Sequence, residues 1–330
     1  MNRNFFTAMC CVAMIGMFGC QQAEEIKSSS EELRMSIKAN IGKDGTIAGR
    51  TSLGDDGNVS FVDGDAVGLF VNTRNVVEWT YDSDGNIWEA DDDIFWDNTE
   101  RRHQFYAFYP YVDDAALTNV PMPDLTEQTG DIDDLDEYDF LYATKEQKYS
   151  DGDSDGVVSF SGDSAFEHVF SLITITLQGE GDLVGSAIDE ITISGEDIVT
   201  PYVFSFEGPK VVSVSDEEDN GVDDLVLSMT DCVIGSEGHT FYFVVNTGAS
   251  LKDVDLSIRY IKGDEEKYIA TLEGMNGDDP NAKFESGKRY SYALKVMEGV
   301  LSISGNSIKG WGNGIELDDI IINGNKVESE

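Results

Sequence analysis

Apolar and polar residues alternate without a break from Met35 to Ile41, in the order Met-Ser-Ile-Lys-Ala-Asn-Ile. Such alternation predicts a β-strand with one face buried and the other in water. Similar short runs recur along the chain, with turns rich in Gly and Asp between them, and no stretch keeps the period of an amphipathic helix. The pattern therefore predicts an all-β protein made of sandwiches or barrels. The further runs lie at 67–71, 76–81, 86–89, 104–111, 139–144, 169–177, 187–194, 199–206, 210–214, 225–229, 239–246, 254–261, 267–272 and 289–296.

Two acidic segments interrupt the strand pattern and organise the chain. Residues 113–137 are rich in Asp, Pro and Thr and predict a long surface loop. Residues 150–162 are rich in Asp and Gly and predict a boundary between two domains. We therefore predict two β-sandwich domains in tandem, over residues 35–160 and 161–330.

The tail of the second predicted domain carries an unusually apolar strand. Strand-like residues at 301–303 and 315–322 are separated by a predicted glycine-rich loop at 305–314. The run Ile320-Ile321-Ile322 would be an aggregation hazard if it were exposed, because an unpaired apolar strand recruits other strands. We therefore expect the tail to be covered, either by its own fold or by another molecule.

The N-terminal residues predict export and lipid attachment. A short basic start is followed by an uncharged apolar stretch that is too short to span a bilayer, so residues 1–19 read as a signal peptide. Gly19-Cys20 resembles the end of a bacterial lipobox, in which the cysteine is diacylated and anchors the chain. An ordinary secretory signal is the alternative. Residues 20–34 are polar and acidic and predict a flexible tether.

The formal net charge of -42 excludes nucleic acid as a partner, because such a chain repels polyanions. Asp151, Asp153 and Asp155 reproduce the opening of a calcium loop, in which alternate oxygens converge on one ion. The twelfth position, where a calcium loop has a bidentate Glu, is Gly162. A solvated Asp-Gly loop is therefore the favoured interpretation, and we predict no metal site and no cofactor.

No catalytic motif stands out, so we predict that the chain is not an enzyme. It contains no Gly-x-Ser-x-Gly elbow, phosphate-binding loop or dinucleotide fingerprint. His168 lies in a strand pattern without nearby Cys and predicts a packed or hydrogen-bonded residue at the edge of the core rather than a metal ligand. After export and lipidation, Cys232 would be the one remaining thiol, which leaves no intramolecular disulfide.

Several short phrases, in a fixed order along the chain, resemble the fimbrillin family of FimA- and Mfa-like pilins. The phrases are FVDGDAVGLF at 61–70, FYAFYPY at 105–111, DFLYA at 139–143, FEHVF at 166–170, FESGKRYSY at 284–292 and IKGW at 308–311. The resemblance implies two transthyretin-like, Greek-key β-sandwich domains. It also implies a lipoprotein precursor that becomes a structural or adhesive subunit of a surface pilus.

In this family, as the resemblance implies, a protease removes the first strand and a neighbouring subunit fills the open groove with a strand of its own. Arg50 would be the cleavage site, with Arg34 as second choice. The alternative is a permanent first strand, as in an anchor subunit. The displaced strand would be Met35, Ile37, Ala39 and Ile41, and the donor strand would be Ile315, Leu317, Ile320 and Ile322.

The resemblance further implies a surface-exposed fimbrium on the outer membrane, with other fimbrillin-like subunits and a host or bacterial surface receptor as partners. One alternative function is a surface glycan-binding lipoprotein, in which Trp79, Trp88 and Trp96 would form a stacking platform, although core positions suit them better. A second alternative is a hydrolase with an acidic site on a β-sandwich.

Overall fold

The structure is a computed structural model that describes residues 33–42, 60–151, 154–207, 211–213, 222–262, 266–275 and 282–311. Several predicted features lie outside these residues. They are the signal peptide, Cys20, Arg50, Asp153 and the strand predicted at 315–322.

Strands dominate the described residues, which confirms the all-β class. Helical structure there consists of short 3₁₀ turns at Leu125–Glu127, Leu135–Glu137, Gly162–Ser164, Gly181–Leu183 and Leu251–Asp253. The strands are β1 (Ser36–Ala39), β2 (Ala66–Val71), β3 (Val77–Asp82), β4 (Ile87–Ala90), β5 (His103–Tyr109), β6 (Val120–Pro121), β7 (Leu141–Gln147), β8 (Val157–Phe160), β9 (Glu167–His168), β10 (Ser171–Gly179), β11 (Ala187–Ser194), β12 (Tyr202–Phe204), β13 (Val211–Ser213), β14 (Asp224–Ser228), β15 (His239–Val245), β16 (Asp255–Lys262), β17 (Glu266–Leu272), β18 (Lys288–Met297) and β19 (Val300–Gly310).

The first sheet has six antiparallel strands in the order β4-β3-β2-β5-β7-β9. Leu69 and Phe105 lie on one face of this sheet and Phe108 lies on the other, and all three are at most 1% exposed, so the centre of the sheet is buried on both faces. A separate two-stranded sheet, β1-β8, is parallel. Burial alternates along β1, as expected for a half-buried strand, whereas β2 at the centre of the first sheet is buried on both faces.

The second large sheet runs in the order β14-β11-β16-β17-β19-β18-β10-β15. β17 and β19 share the single pair Thr271–Val300, so the sheet is only weakly joined at that point. β10 and β18 are parallel neighbours, and Leu172 and Ile173, which face opposite sides of the sheet, are both fully buried.

Strands from the two halves of the sequence also meet. β6 pairs with β12, and β12 pairs with β13, which makes a three-stranded sheet. β9 lies beyond residue 160 in the sequence but pairs with β7 of the first sheet. The division into domains at residue 160 stays a prediction.

Two predicted loops are wrong in part. Residues 113–137 contain β6 and two 3₁₀ turns, and they are held against β15 because the amide of Gln128 donates to Val244 O and accepts from Val244 N at 2.8 and 2.7 Å. Residues 305–310 belong to β19, which continues through Gly305. A bulge makes this possible, since the pairing with β18 shifts by one residue at Ser304, whose hydroxyl donates to Ala293 O at 2.9 Å.

Candidate strand-exchange site

β1 pairs in parallel with β8, with Ser36 opposite Val157 and Lys38 opposite Ser159. Asn40 N donates to Phe160 O at 2.9 Å, which closes the pairing at the end of β8. The parallel alignment then continues past β8, because Ile41 bridges Phe166 and Gly42 N donates to Phe166 O at 2.9 Å. The segment from Ser36 to Gly42 therefore forms one continuous set of backbone contacts.

The two faces of this segment differ sharply in burial. Met35, Ile37 and Ile41 are 3%, 4% and 9% exposed, while Ala39 is half-buried. Ser36 and Lys38 point to solvent. The alternation predicted from the sequence is present, and each buried apolar side chain contributes about 1.5–3 kcal/mol to holding β1 in place.

β8 has β1 as its only strand partner among the described residues. On the opposite edge of β8, side chains of β7 take the place of a strand. Gln147 Nε2 donates to Val157 O at 2.6 Å, and Lys145 Nζ donates to Ser159 O. Departure of β1 would therefore leave one edge of β8 open while the other edge stays anchored. We call this edge of β8, with the pockets that hold Met35, Ile37 and Ile41, the acceptor groove.

A cavity of about 1060 Å³ adjoins β1. Its lining includes Phe61 and Trp88, whose rings meet edge to face at 5.0 Å, and the acidic residues Asp63 and Asp136. The space beside β1 is thus lined by both aromatic and acidic side chains.

The N-terminal end of β1 is tied to the segment that follows β4. Met35 N donates to Ile94 O at 2.8 Å, and Trp96 N donates to Leu33 O at 2.9 Å. Arg34 forms a bridge with Phe95 and an exposed ion pair with Asp93 at 2.5 Å. Because Arg34 precedes β1, a cut after it would leave β1 joined to the rest of the chain.

Asp65 is a partly buried carboxylate close in sequence to Val62 and Asp63, which line the cavity. Its carboxylate accepts from Val62 N at 2.7 Å and from Tyr109 Oη at 3.4 Å. Burial raises the pKa of Asp65 from 3.8 to about 6, and the nearby negative charge of Asp136 adds to the rise, against the two hydrogen bonds.

The raised pKa of Asp65 predicts a pH-dependent stability. The stabilisation from a protonated Asp65 is complete below pH 3.8 and is lost as pH rises through about 6. Asp65→Asn removes this loss and keeps an oxygen acceptor for Val62 N, so it should raise the free energy of unfolding by about 1–2 kcal/mol at pH 7.5. Urea unfolding at pH 4 and pH 7.5 measures the difference. Equal gains at both pH values would contradict the prediction.

The described chain ends at Trp311, which is 2% exposed. Its ring stacks on His168 with centroids 4.3 Å apart, and its N donates to Gly287 O at 2.8 Å. His168 Nδ1 lies 2.8 Å from Asp139 Oδ2, and both residues are buried. The prediction of His168 as a packed, hydrogen-bonded residue is confirmed, and Trp311 fixes the point from which the predicted donor segment leaves.

The remaining predicted site residues are only partly visible. Asp151 pairs with Arg102 Nη2 at 3.2 Å, Asp155 is exposed and Asp153 lies outside the described residues. Over the described ranges, no group of three or more His, Cys, Asp or Glu side chains is arranged to hold a metal ion. None of the helical segments described above is long and apolar enough to cross a membrane.

Trp79, Trp88 and Trp96 do not form an exposed platform. They are 2%, 8% and 2% exposed, and Trp96 Nε1 donates to Gly156 O at 3.0 Å inside the protein. The idea that they stack on a glycan is wrong, and their core position is confirmed.

The most important feature that the sequence interpretation missed is β8. It falls inside 150–162, which was interpreted as a boundary loop, and that interpretation is wrong for Val157–Phe160. The run Val-Val-Ser-Phe was the available signal, but it is short and follows an acidic glycine-rich stretch. The sequence offers no signal for Lys145 and Gln147, whose side chains donate hydrogen bonds to backbone carbonyls of β8.

The profile of the fimbrillin-like family matches residues 50–311, and the chain belongs to this family. Membership makes it a structural protein of a cell-surface appendage and not an enzyme. No curated protein matches the chain.

Solved structures with the same fold come from Bacteroides. A protein of Bacteroides uniformis, described as a candidate for cell adhesion, has a TM-score of 0.59 and 17% identity over 84% of this chain and 97% of its own. A protein of Bacteroides ovatus with the same description has a TM-score of 0.55 and 16% identity over 84% and 97%. A fimbrial protein of Bacteroides vulgatus has a TM-score of 0.51 and 14% identity over 84% and 99%. At these identities the likeness concerns the fold.

Proposed function

We propose that this chain is a subunit of a surface pilus that assembles by strand exchange after proteolysis. β1 is the strand that leaves, and a strand from a neighbouring subunit takes its place by β-augmentation. The observation that carries the proposal is the isolation of β8. β8 has β1 as its only strand partner among the described residues, and its far edge is held by Lys145 and Gln147. Removing β1 therefore opens a groove without dismantling a larger sheet.

Cleavage after Arg50 fits this role better than cleavage after Arg34. A cut after Arg50 separates the whole of β1 from the body, whereas a cut after Arg34 does not. The family profile begins at residue 50, so the region shared with relatives starts where the cut would leave the chain. After the cut, the cleaved peptide would stay in the acceptor groove only through non-covalent contacts. A donor strand could then displace it.

Before cleavage, the chain would reach the outer membrane as a lipoprotein. Cys20 would carry the acyl chains, and residues 20–34 would separate the anchor from the folded body. The same cut after Arg50 would release the subunit from its lipid anchor, so detachment and opening of the groove would be a single event. The surface-exposed fimbrium is the proposed destination, and other fimbrillin-like subunits are the proposed partners.

The test is limited trypsin treatment of the purified mature chain. We expect cutting after Arg50, followed by ladders of oligomers that survive mild detergent, because a docked strand is held by backbone hydrogen bonds and buried side chains. Because trypsin also cuts after lysine, Lys43 is replaced by Gln in both test variants. In this background Arg50→Ala should remain monomeric, whereas the matched control Arg34→Ala should assemble like the unmodified chain. Complete cutting after Arg50 with monomers as the only product would overturn the proposal.

A further inference from the structure

We propose a specific register for the incoming strand, taken from a second copy of this chain. The donor runs parallel to β8, with Ile315 in the Met35 pocket, Leu317 in the Ile37 pocket and Ile321 in the Ile41 pocket. This inference rests on the proposed function and adds the direction and alignment of the strand to it.

The burial pattern of β1 defines what a donor must supply. The first, third and seventh residues of this segment, Met35, Ile37 and Ile41, are buried in deep pockets. The fifth residue, Ala39, is half-buried. The tail reads Ile-Glu-Leu-Asp-Asp-Ile-Ile-Ile from 315 to 322. Aligned from Ile315, it places apolar residues in all three deep pockets and Asp319 at the half-buried position. Glu316 and Asp318 then replace Ser36 and Lys38, which face solvent.

Other alignments place polar or charged groups in deep pockets, where a buried charge without a partner is strongly unfavourable. A parallel strand that starts with Ile320 in the Met35 pocket puts Lys326 at Ile41. An antiparallel strand with Leu317 at Ile41 puts Asn323 at Met35. An antiparallel strand with Ile322 at Met35 puts Glu316 at Ile41. The parallel alignment from Ile315 is the one that avoids all of these costs.

The length of the segment agrees with the backbone contacts. β1 and the residues after it contact β8 and Phe166 from Ser36 to Gly42. In the proposed register the corresponding donor residues are 316–322, so the apolar tail segment ends where the contacts of β1 end. The polar Asn323 follows immediately.

The geometry also shows why the donor comes from another copy. Because Ile41 and Phe166 pair in parallel, Glu167 and His168 continue in the direction of β1. Trp311 stacks on His168 and therefore lies near the Ile41 end. The Met35 pocket is roughly 20 Å back along the strand at 3.3 Å per residue. The spacer Gly312–Gly314 lets Ile315 reach roughly 14 Å from Trp311 at most. A chain cannot fill its own groove in this register.

Thiol cross-linking in assembled oligomers tests the register. Cys232→Ser leaves no native thiol after the cut at Arg50, because Cys10, Cys11 and Cys20 are removed with the leader. Ser159→Cys is placed on the acceptor, and single cysteines are scanned from Glu316 to Asn323 on the donor. Lys38 lies opposite Ser159, so the proposed register predicts the highest yield of cross-linked dimers at Asp318→Cys.

The outcomes separate the register from the assembly mechanism. A maximum at Asp319→Cys or Ile320→Cys would indicate an antiparallel donor, and a maximum at Asn323→Cys would indicate the shifted parallel alignment. Either result would overturn the register while oligomer ladders still supported strand exchange. Ladders without any cross-link to Ser159→Cys would place the donor elsewhere and would also overturn it. Absence of ladders in the unmodified chain would contradict the proposed function itself.

Discussion

Ile37→Asp is expected to let the uncut chain form oligomers without protease. Ile37 is 4% exposed, so the substitution removes an apolar contact and introduces a charge into an apolar pocket. A loss of about 4 kcal/mol shifts the equilibrium between docked and released β1 roughly a thousandfold. The released strand would leave the acceptor groove open to a donor. Size-exclusion chromatography and mild-detergent electrophoresis of uncut protein measure the effect.

Lys38→Asp is the matched control for this prediction. This variant introduces an aspartate one position further along β1. Because Lys38 faces solvent, the variant should remain monomeric until it is cut. Trypsin provides an internal check, because removal of β1 also removes the substitution, and cut Ile37→Asp should assemble like the unmodified chain. If uncut Ile37→Asp stays monomeric but assembles after cutting, the buried face of β1 is not what keeps the groove closed.

The elements that the sequence predicts well are those in which local pattern and burial agree. In β1 the alternation of Met35, Ile37 and Ile41 with polar residues matches a sheet that is covered on one side. β14 and β16 follow the same rule. Such strands are readable because the period of two is set by backbone geometry and needs no knowledge of the partner strand.

The acceptor half of the site could not be found in this way because its contacts are far apart in sequence. β8 becomes a strand through pairing with β1, which precedes it by more than a hundred residues. Its other edge depends on two polar side chains, Lys145 and Gln147, that donate to backbone carbonyls. Hydrogen bonds from side chains to the backbone of distant segments produce no periodic pattern in the sequence. The hydrogen bond from Gln128 to the backbone of β15 is undetectable for the same reason.

The glycine-rich start of the tail shows a different reason for failure. Gly305 suggested a loop, because Gly is unfavourable within a strand. In the structure it stands beside the bulge at Ser304, where β19 changes its register against β18. The strand therefore extends to Gly310 and delivers Trp311 to its stack on His168. As a result, the chain is held in the fold by β19 and by the stacked ring as far as residue 311.

Ile321→Asp is expected to abolish donor activity while leaving the acceptor groove intact. In the proposed register Ile321 fills the pocket of Ile41, which is 9% exposed, and a charge there would cost about 3–5 kcal/mol. Cut Ile321→Asp alone should remain monomeric. Mixed with cut unmodified protein, it should still accept a strand and then terminate growth, so the mean length of the ladders should fall as its fraction rises.

Ile320→Asp is the control that tests the register itself. It introduces the same charge as Ile321→Asp, one position earlier in a run of three isoleucines. Residue 320 would replace Asn40, a polar residue outside the three deep pockets, so this variant should assemble nearly as well as the unmodified chain. A general loss of hydrophobicity in the tail would instead impair both variants equally. Equal impairment would be compatible with strand donation by the tail but would contradict the proposed alignment. Only a fixed register places one of two neighbouring isoleucines in a pocket and the other outside it.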